Sequence, residues 1–315
     1  MRALGSGIST LSELTSGGKR ALARALAAIE TDAGSQALAS LLDAACAAAR
    51  AHVLGLTGPP GVGKSTLASA LVTRARARGE TIGVIAVDPS SRRTGGALLG
   101  DRARIVTDPD DNGVFIRSMA ARDRLGGLSN ETVAAMVLMR AIYDRVLIES
   151  VGIGQSEADI SFAADTVVLC IQPASGDSLQ FMKAGVMELP EVIAVTKADM
   201  GAAARRAVSD VEGALSLSSA QGWRAPVVAV ASMQGEGLDD LDDAIARHRA
   251  FLGEDDRLAS RRRAQEQAWI EEATRVRFGS AGLDASRRFF SDAAGPFTNE
   301  LLIASELERR LAKPS

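Results

Sequence analysis

Two kinds of hydrophobic pattern alternate along most of the chain. Short apolar runs, typical of strands buried on both faces, are separated by stretches that carry apolar residues at helical spacing. The apolar runs lie at 53–57, 82–87, 114–117, 145–152, 166–171, 192–195 and 227–230. The helical stretches lie at 66–78, 131–143, 205–217 and 238–252. This alternation predicts an α/β fold, in which a mostly parallel sheet is covered by helices on both faces.

The start of the chain has a helical pattern and no strand pattern. Residues 19–30 and 37–50 are rich in alanine and each place leucines on one face. Between them, residues 31–35 (TDAGS) have the composition of a turn followed by a helix cap. We therefore expect an N-terminal helical arm over 1–50 that packs on a central α/β domain over 51–252.

The end of the chain also differs from the central domain. A long, highly charged helix is predicted over 257–278, an irregular segment over 280–295 and a short helix over 299–311. These helices contain few large apolar residues and so have little core of their own. The C-terminal helical region, 253–315, is therefore expected to pack on the main domain or on a second subunit, as a dimerisation arm.

The clearest candidate for chemistry is a glycine-rich stretch between the first strand and the helix that follows it. Residues 58–65 read GPPGVGKS, which fits the phosphate-binding pattern G-x-x-x-x-G-K-[ST] at every position. Glycines let successive backbone N–H groups point at one phosphate, and the helix N-terminus adds partial positive charge. The Lys64 ammonium would reach the β- and γ-phosphates, and the Ser65 hydroxyl would hold Mg²⁺. The alternative is a glycine turn in an ordinary βα unit, but the strand-turn-helix context favours a P-loop nucleoside triphosphatase. The residues expected to contact the nucleotide here are Gly61, Val62, Gly63, Lys64, Ser65 and Thr66.

Two acidic side chains follow apolar strands, at the edge where an open α/β sheet binds its ligand. Asp88 follows the strand at 82–87, and Glu149 opens an acid-x-x-Gly pattern that ends at Gly152. The second pattern is frequent by chance. It gains weight from the apolar strand before it and from the P-loop upstream.

The base is indicated by residues 196–199, which read TKAD at the end of a predicted strand. The Asp199 carboxylate can accept hydrogen bonds from guanine N1–H and the exocyclic amine, a donor pair that adenine lacks. The Lys197 alkyl stem would lie along the base, and the Thr196 hydroxyl, where asparagine is commoner, can still tie the loop to its neighbours. This stretch predicts GTP in preference to ATP.

Composition excludes several other classes of protein. Net charge is −3 with both signs interspersed, which argues against nucleic acid as the main partner. No apolar run of about eighteen residues is present, so no membrane span is predicted. Cys46 and Cys170 are far apart in apolar surroundings, and the chain has only two histidines, which does not suggest a disulfide or a metal cluster. The cytoplasm is the expected compartment.

The order and spacing of these motifs resemble one family. The interval from Lys64 to Glu149 is 85 residues, about twice that of Ras-like GTPases, which leaves room for an extra strand. The whole run resembles the MeaB/ArgK family of GTPases, related to the signal-recognition and metallochaperone GTPases. The stretches that carry the resemblance are 58–66 (GPPGVGKST), 86–91 (AVDPSS), 100–102 (GDR), 115–118 (FIRS), 149–157 (ESVGIGQSE), 176–180 (GDSLQ), 183–185 (KAG) and 197–199 (KAD).

The resemblance implies a homodimeric GTPase that assists an adenosylcobalamin-dependent acyl-CoA mutase, usually methylmalonyl-CoA mutase. Such a protein gates cofactor loading and protects the mutase, and holds no cobalamin in its own chain. The implied catalytic residues are Lys64, Asp101 and Glu149, and the residues near Mg²⁺ are Ser65, Asp88, Asp101 and Glu149. The residues alone do not decide which carboxylate is a direct ligand, and an ion pair with Arg102 or Arg104 is the alternative for Asp101. A last loop, Ala231, Ser232 and Met233, is implied to contact the guanine oxygen through backbone N–H groups, although the family's usual Ser-Ala order is reversed here.

Three polar segments are candidate switches that respond to the γ-phosphate: 90–104, 152–159 and 172–185. The position after Gly152, where Ras-type enzymes place a glutamine, holds Ile153, and Gln155 lies two residues further on. This departure predicts slow intrinsic hydrolysis that a partner accelerates by ordering loops. The side chains singled out for switching or for contact with the partner are Arg92, Arg93, Gln155, Asp177 and Lys183.

Three other functions fit the sequence less well. A nickel-type metallochaperone GTPase shares the fold, but the chain is poor in His and Cys. A partition-type ATPase would need a lysine where Pro59 and Pro60 stand, and would have no use for Asp199. A small-molecule kinase would need an acceptor pocket or lid, and none is evident.

Overall fold

The computed structural model describes residues 10–88, 105, 107–108, 110–120, 128–150, 160–174, 190–216, 222–291 and 293–312. The chain divides into two compact units. One, here called the sheet unit, comprises residues 52–129 and 144–260, and the other, the helical unit, comprises 1–51, 130–143 and 261–315. The three-part division expected from the sequence, at 50 and 252, stays a prediction.

The described residues form the following elements in chain order: α1 (Leu11–Ser16), α2 (Gly18–Thr31), α3 (Gln36–Ala47), β1 (His52–Thr57), α4 (Lys64–Ala77), β2 (Ile82–Asp88), β3 (Val114–Ala120), α5 (Asn130–Ile142), β4 (Arg145–Glu149), β5 (Thr166–Ile171), β6 (Val192–Thr196), α6 (Ala202–Ser216), β7 (Val227–Val230), α7 (Leu238–Leu252), α8 (Arg257–Ser286) and α9 (Pro296–Leu311). Each of the seven apolar runs in the sequence contains a strand, and the helical stretches between them form helices.

The sheet unit is built on one seven-stranded sheet with the order β3-β2-β4-β1-β5-β6-β7. Every neighbouring pair in it is parallel. Strands β1, β2, β5 and β6 are buried at every position, because helices cover both faces. The α/β fold with a mostly parallel sheet is confirmed.

The two faces of the sheet have separate hydrophobic cores. On β5, Val168 and Cys170 join the core formed by α4 and α7, whereas Leu169 and Ile171 join the core under α6. Successive side chains of a strand point to opposite faces, so one continuous apolar run supplies both cores. This packing fixes the strand ends at which the functional residues lie.

The helical unit is organised around α3, which contacts both α5 and α9. Its Ser35 caps the helix by accepting a hydrogen bond from the Leu38 backbone N–H at 3.2 Å, as the turn composition of 31–35 suggests. Asp43 of α3 accepts hydrogen bonds from the backbone N–H groups of Phe297 and Thr298 in the first turn of α9. The carboxylate thus caps a helix that lies about 250 residues further along the chain.

The sequence-based interpretation of residues 280–295 as irregular is wrong for their first part. Helix α8 runs on to Ser286, and the one non-helical residue inside it is Gly279, at φ 71°. Glycine adopts this backbone conformation without the steric cost that other residues meet, so the helix bends there and resumes. Helix α9 also begins earlier than the expected 299, because Pro296 suits the first turn and Asp43 supplies the cap.

Within the described part of the chain, no helix combines the length and the apolar composition that crossing a bilayer requires.

Candidate nucleotide-binding site

The candidate site lies at the carboxyl edge of the sheet. After β1 the chain passes through α4 to β2, which lies on one side of β1 in the sheet. After β4, the neighbour of β1 on that same side, the chain crosses to β5 on the other side of β1. The direction of the chain across the sheet therefore reverses next to β1. Ligands of open α/β sheets bind in the crevice at such a switch point, and residues 58–63 lie there.

The backbone of the P-loop depends on its glycines. Gly58, Gly61 and Gly63 have φ values of 134°, 75° and 103°, in the region that residues with a side chain avoid. At Gly58 space is limiting too, because a Cβ atom would lie 2.2 Å from the carbonyl oxygen of Cys170. Gly63 is the N-cap of α4, so the loop leads directly into the amino end of that helix.

Lys64 lies over the loop that precedes it. Its side chain is 6% exposed, and its Nζ donates hydrogen bonds to the carbonyl oxygens of Gly58 at 2.7 Å and Pro59 at 2.9 Å. The ammonium is therefore held on the phosphate-binding side of the first turn of α4. Together with the helix N-terminus, it makes this loop a favourable place for a polyphosphate.

Two of the oxygen groups expected near Mg²⁺ are in direct contact. The Ser65 hydroxyl in the first turn of α4 donates to Glu149 Oε1 at the end of β4, at 2.6 Å. Asp88 is 1% exposed at the end of β2, the strand next to β4. Thr66, expected to contact the nucleotide, is exposed one residue further along α4.

These residues fit Mg²⁺ in the chemistry of their donor atoms. Carboxylate and hydroxyl oxygens are the ligands that this hard cation takes, and it is usually bound through one or two carboxylates plus substrate phosphates. The described residues contain no group of three or more His, Cys, Asp or Glu side chains that could hold a metal.

The residues predicted to read the base also contact the P-loop. The buried Thr196 hydroxyl lies 2.7 Å from the carbonyl oxygen of Val62 and 3.0 Å from that of Ile171. Lys197, at φ 52°, donates from Nζ to the carbonyl oxygen of Gly61 at 3.1 Å. Asp199 lies in the short 3₁₀ turn that follows and is exposed. The expectation that the Thr196 hydroxyl ties this loop to its neighbours is confirmed.

The last predicted loop follows β7. Ala231 is 1% exposed, and its backbone N–H donates to the carbonyl oxygen of Glu236, which closes the loop. Ser232 is half-buried, and Met233 is 82% exposed. The turn ends at Gly237, where a Cβ atom would lie 2.0 Å from the carbonyl oxygen of Ala229.

Seven predicted site residues lie outside the described part of the chain: Arg92, Arg93, Asp101, Gly152, Gln155, Asp177 and Lys183. Their roles stay predictions.

Sequence reasoning missed several groups at the same edge of the sheet. The Ser150 hydroxyl donates to Thr57 Oγ1 at 3.0 Å, which links the ends of β4 and β1. The Gln172 side chain accepts a hydrogen bond from Lys197. Gln172 is a polar residue directly after the apolar run at 166–171, the same signal that identified Asp88, and applying that signal to every strand would have found it. Ser150 lies inside the run predicted at 145–152, and only the structure, in which β4 ends at Glu149, shows that it directly follows the strand.

The two cysteines are free thiols and lie in different units. Burial raises the pKa of the Cys170 thiol to about 12, the nearby Lys64 ammonium opposes this rise, and the Glu149 carboxylate adds to it. Burial also raises the pKa of the Cys46 thiol in α3 to about 12. Neither thiol therefore has the thiolate character that a nucleophile or metal ligand needs.

The parallel sheet, the P-loop at its switch point and the loop at 196–199 bound to that P-loop, here called the base-reading loop after its predicted role, are the features of a P-loop GTPase. Residues 22–283 match the family described as Methylmalonyl Co-A mutase-associated GTPase MeaB. The chain belongs to this family, and it is a GTPase.

Named relatives and a solved structure are similar to this chain over much of its length. The chain is 38% identical over 303 residues to a protein of Mycobacterium bovis named "Probable GTPase", with 94% of this chain and 87% of that protein covered. It is 36% identical over 222 residues to the mitochondrial methylmalonic aciduria type A homolog of Mus musculus, covering 69% of this chain and 54% of that protein. A crystal structure described as a LAO/AO transport system kinase superposes with a TM-score of 0.68 at 25% identity, covering 95% of this chain and 96% of that chain.

Proposed function

We propose that this GTPase is a chaperone of an adenosylcobalamin-dependent acyl-CoA mutase, with methylmalonyl-CoA mutase as the partner. The family match over residues 22–283 carries the proposal, because the family is described by its association with that mutase. In this proposal, GTP hydrolysis gates cofactor loading and protects the mutase. The cobalamin stays with the mutase and is not bound by this chain. The cytoplasm is the proposed compartment.

The described residues support a specific assignment of roles at the nucleotide. The P-loop is proposed to hold the phosphates, because it brings backbone N–H groups, a helix N-terminus and an ammonium to one place. Its residues in this role are Gly61, Val62, Gly63 and Lys64. Asp199 is proposed to accept from guanine, and Ala231–Met233 to contact its oxygen. Thr196 keeps the base-reading loop on the P-loop.

Mg²⁺ or its waters are proposed to be held by Ser65 and Glu149, which are in contact. Asp88 is proposed to join them, because it ends β2, the strand next to β4. Mg²⁺ bound with GTP would neutralise charge on the phosphates. The contribution of this chain is to orient the Ser65 hydroxyl and to supply carboxylates of fixed position at the ends of β2 and β4. Asp101 is proposed as a further carboxylate of this group.

The link to the mutase is proposed to run through segments that respond to the γ-phosphate. Arg92, Arg93, Gln155, Asp177 and Lys183 belong to those segments in the sequence. Because phosphoryl transfer depends mostly on positioning and electrostatics, a partner that orders such segments would accelerate a slow intrinsic reaction.

A homodimer is the proposed assembly, with the C-terminal helices at its interface. Three large apolar side chains of α8 and α9 are exposed: Val276 at 60%, Leu302 at 44% and Leu311 at 76%. Val276→Glu and Leu302→Glu should shift the full-length protein from dimer to monomer in sedimentation velocity. Variants that sediment as the wild type would contradict an interface at these residues.

The test of the chaperone function uses purified methylmalonyl-CoA mutase and the full-length GTPase. We expect a complex whose affinity differs by about fivefold or more between GDP and a non-hydrolysable GTP analogue, and GTP hydrolysis that is faster in the complex than alone. The variant Asp199→Asn, whose amide no longer matches the two donors of guanine, should lose this response to guanine nucleotides. No complex in any nucleotide state, or equal hydrolysis with and without the mutase, would overturn the proposal.

A further inference from the structure

The end of β5 is attached to the base-reading loop by two consecutive residues. The Thr196 hydroxyl lies within hydrogen-bond distance of the Ile171 carbonyl oxygen, and the Lys197 ammonium donates to Gln172 Oε1 at 2.6 Å. The same two residues reach the P-loop, at the carbonyl oxygens of Val62 and Gly61. Each of them therefore joins the P-loop to the end of β5.

The two bridges differ in how firmly they are held. Thr196 is 2% exposed, and its partners are backbone carbonyl groups that the sheet and loop position. Lys197 is exposed and has a long flexible side chain, so a hydrogen bond to the single carbonyl of Gly61 would restrict it little. The amide oxygen of the half-buried Gln172 supplies the second fixed point.

Two acceptors that hold the ammonium restrict the conformation of the whole Lys197 side chain. The backbone of Lys197 is already in the left-handed region, at φ 52°, and Asp199 follows two residues later. A lysine that is ordered before the ligand arrives loses less conformational entropy on binding.

We propose that Gln172 is a positioning residue for the guanine nucleotide: it holds the Lys197 ammonium against the Gly61 carbonyl, so that the lysine stem is in place beside the base. The inference rests on the proposed roles of Lys197 and Asp199 in binding guanine. It adds a residue at the end of β5 to the proposed guanine site.

The test compares three full-length variants in GDP titrations and in steady-state GTP hydrolysis. Gln172→Leu keeps the size of the side chain and removes the acceptor. We expect its Kd for GDP and its KM for GTP to rise about three- to tenfold, the range for an exposed hydrogen bond to a charged group, with kcat within about twofold of the wild type. Gln172→Glu keeps an acceptor for the ammonium and should bind GDP like the wild type. Gln267→Leu is the matched control, because Gln267 is exposed on α8 in the helical unit and also makes one exposed hydrogen bond, to Glu271.

A second comparison separates positioning from a general structural effect. If Gln172 acts through Lys197, Gln172→Leu should cause no further loss of GDP affinity in a Lys197→Met background. Equal losses in both backgrounds, or wild-type GDP affinity in the Gln172→Leu protein, would overturn the inference.

Failure of the inference is distinguishable from failure of the site on which it rests. If Asp199→Asn weakens GDP binding and Gln172→Leu does not, only the role of Gln172 is wrong. If Asp199→Asn binds GDP as tightly as the wild type, the proposed base site is wrong as well.

Discussion

The Ser65 hydroxyl donates a 2.6 Å hydrogen bond to Glu149 Oε1 and so joins the first turn of α4 to the end of β4. The two residues are far apart in sequence and come together because β1 and β4 are parallel neighbours with Leu56 opposite Glu149. The contact places a hydroxyl and a carboxylate beside the phosphate-binding loop. Both groups are oxygen donors suited to Mg²⁺.

This pair predicts a defect in metal use when the charge of Glu149 is removed. Glu149→Gln keeps the size of the side chain but loses the negative charge, so the Mg²⁺ concentration needed for half-maximal GTP hydrolysis should rise and kcat should fall roughly tenfold to hundredfold. Phosphate release measured over a Mg²⁺ series checks this. The control is Glu271→Gln on the exposed face of α8. An unchanged Mg²⁺ dependence in the Glu149 variant would remove this residue from the metal site.

Thr196 should contribute to stability through its hydroxyl. Thr196→Val preserves the shape of the side chain but removes the single hydroxyl proton, which the buried carbonyl oxygens of Val62 and Ile171 share. The loss should lower the free energy of unfolding by about 1–3 kcal/mol. Urea unfolding measures this loss of stability. Thr196→Ser keeps the hydroxyl, so its free energy of unfolding should stay closer to that of the wild type. A valine variant as stable as the wild type would contradict this contribution of the hydroxyl.

Two glycines should respond to alanine in opposite directions. At Gly58 the added Cβ would lie 2.2 Å from the Cys170 carbonyl oxygen, and φ is 134°, so Gly58→Ala should destabilise the protein by more than about 2 kcal/mol. At Gly213, inside α6, a Cβ has nothing within 4 Å, and alanine should stabilise by roughly 0.5–1 kcal/mol. The thermal unfolding midpoint should be lower than that of the wild type for Gly58→Ala and higher for Gly213→Ala. A Gly58→Ala protein as stable as the wild type would mean that the P-loop relaxes away from β5 at little cost.

Stability should fall at alkaline pH because of the buried thiols. The pKa of Cys170 is about 12 in the folded state against 9.0 as the ordinary value, so the folded protein holds this proton more tightly than the unfolded chain does. Its contribution is therefore fully present below pH 9 and is lost as pH rises from about 9 towards 12, with a loss of roughly 1 kcal/mol at pH 10.

Urea unfolding at pH 8 and pH 10 tests this for Cys170 separately. The variant Cys170→Ala should lose less stability between these pH values than the wild type does, while Cys46 and Tyr143, whose pKa values burial also raises to about 12, still contribute. Equal losses in both proteins would contradict the assignment. In the native state at pH 8 neither thiol should react rapidly with a disulfide reagent.

Much of the fold can be predicted from local sequence pattern. The runs at 82–87 and 166–171 are apolar at nearly every position, which is typical of a strand buried on both faces. The GPPGVGKS stretch identifies the P-loop because its conformation needs glycine at particular positions, a demand that is local and so visible in the sequence. The hydrogen-bonding role of Thr196 was predictable for a similar reason, because the sequence places this residue at the end of a strand.

What local pattern could not show is which distant groups meet. The helix cap that Asp43 provides for α9 and the hydrogen bond from Lys197 to Gln172 each join segments with no shared local signal. The extension of α8 through Gly279 was missed because glycine is as much a feature of irregular chain as of a bend within a helix.

The sequence by itself thus determined the α/β class, the P-loop and the acidic residue expected to read guanine, because each depends on residues near one another in the chain. Only the tertiary structure decided the order β3-β2-β4-β1-β5-β6-β7, the contact of Ser65 with Glu149, and the attachment of Lys197 to both Gly61 and Gln172. The physical reason is that pairing between strands is set by how the whole chain packs its two hydrophobic faces. The position of each polar group at the strand ends follows from that packing and from no single segment.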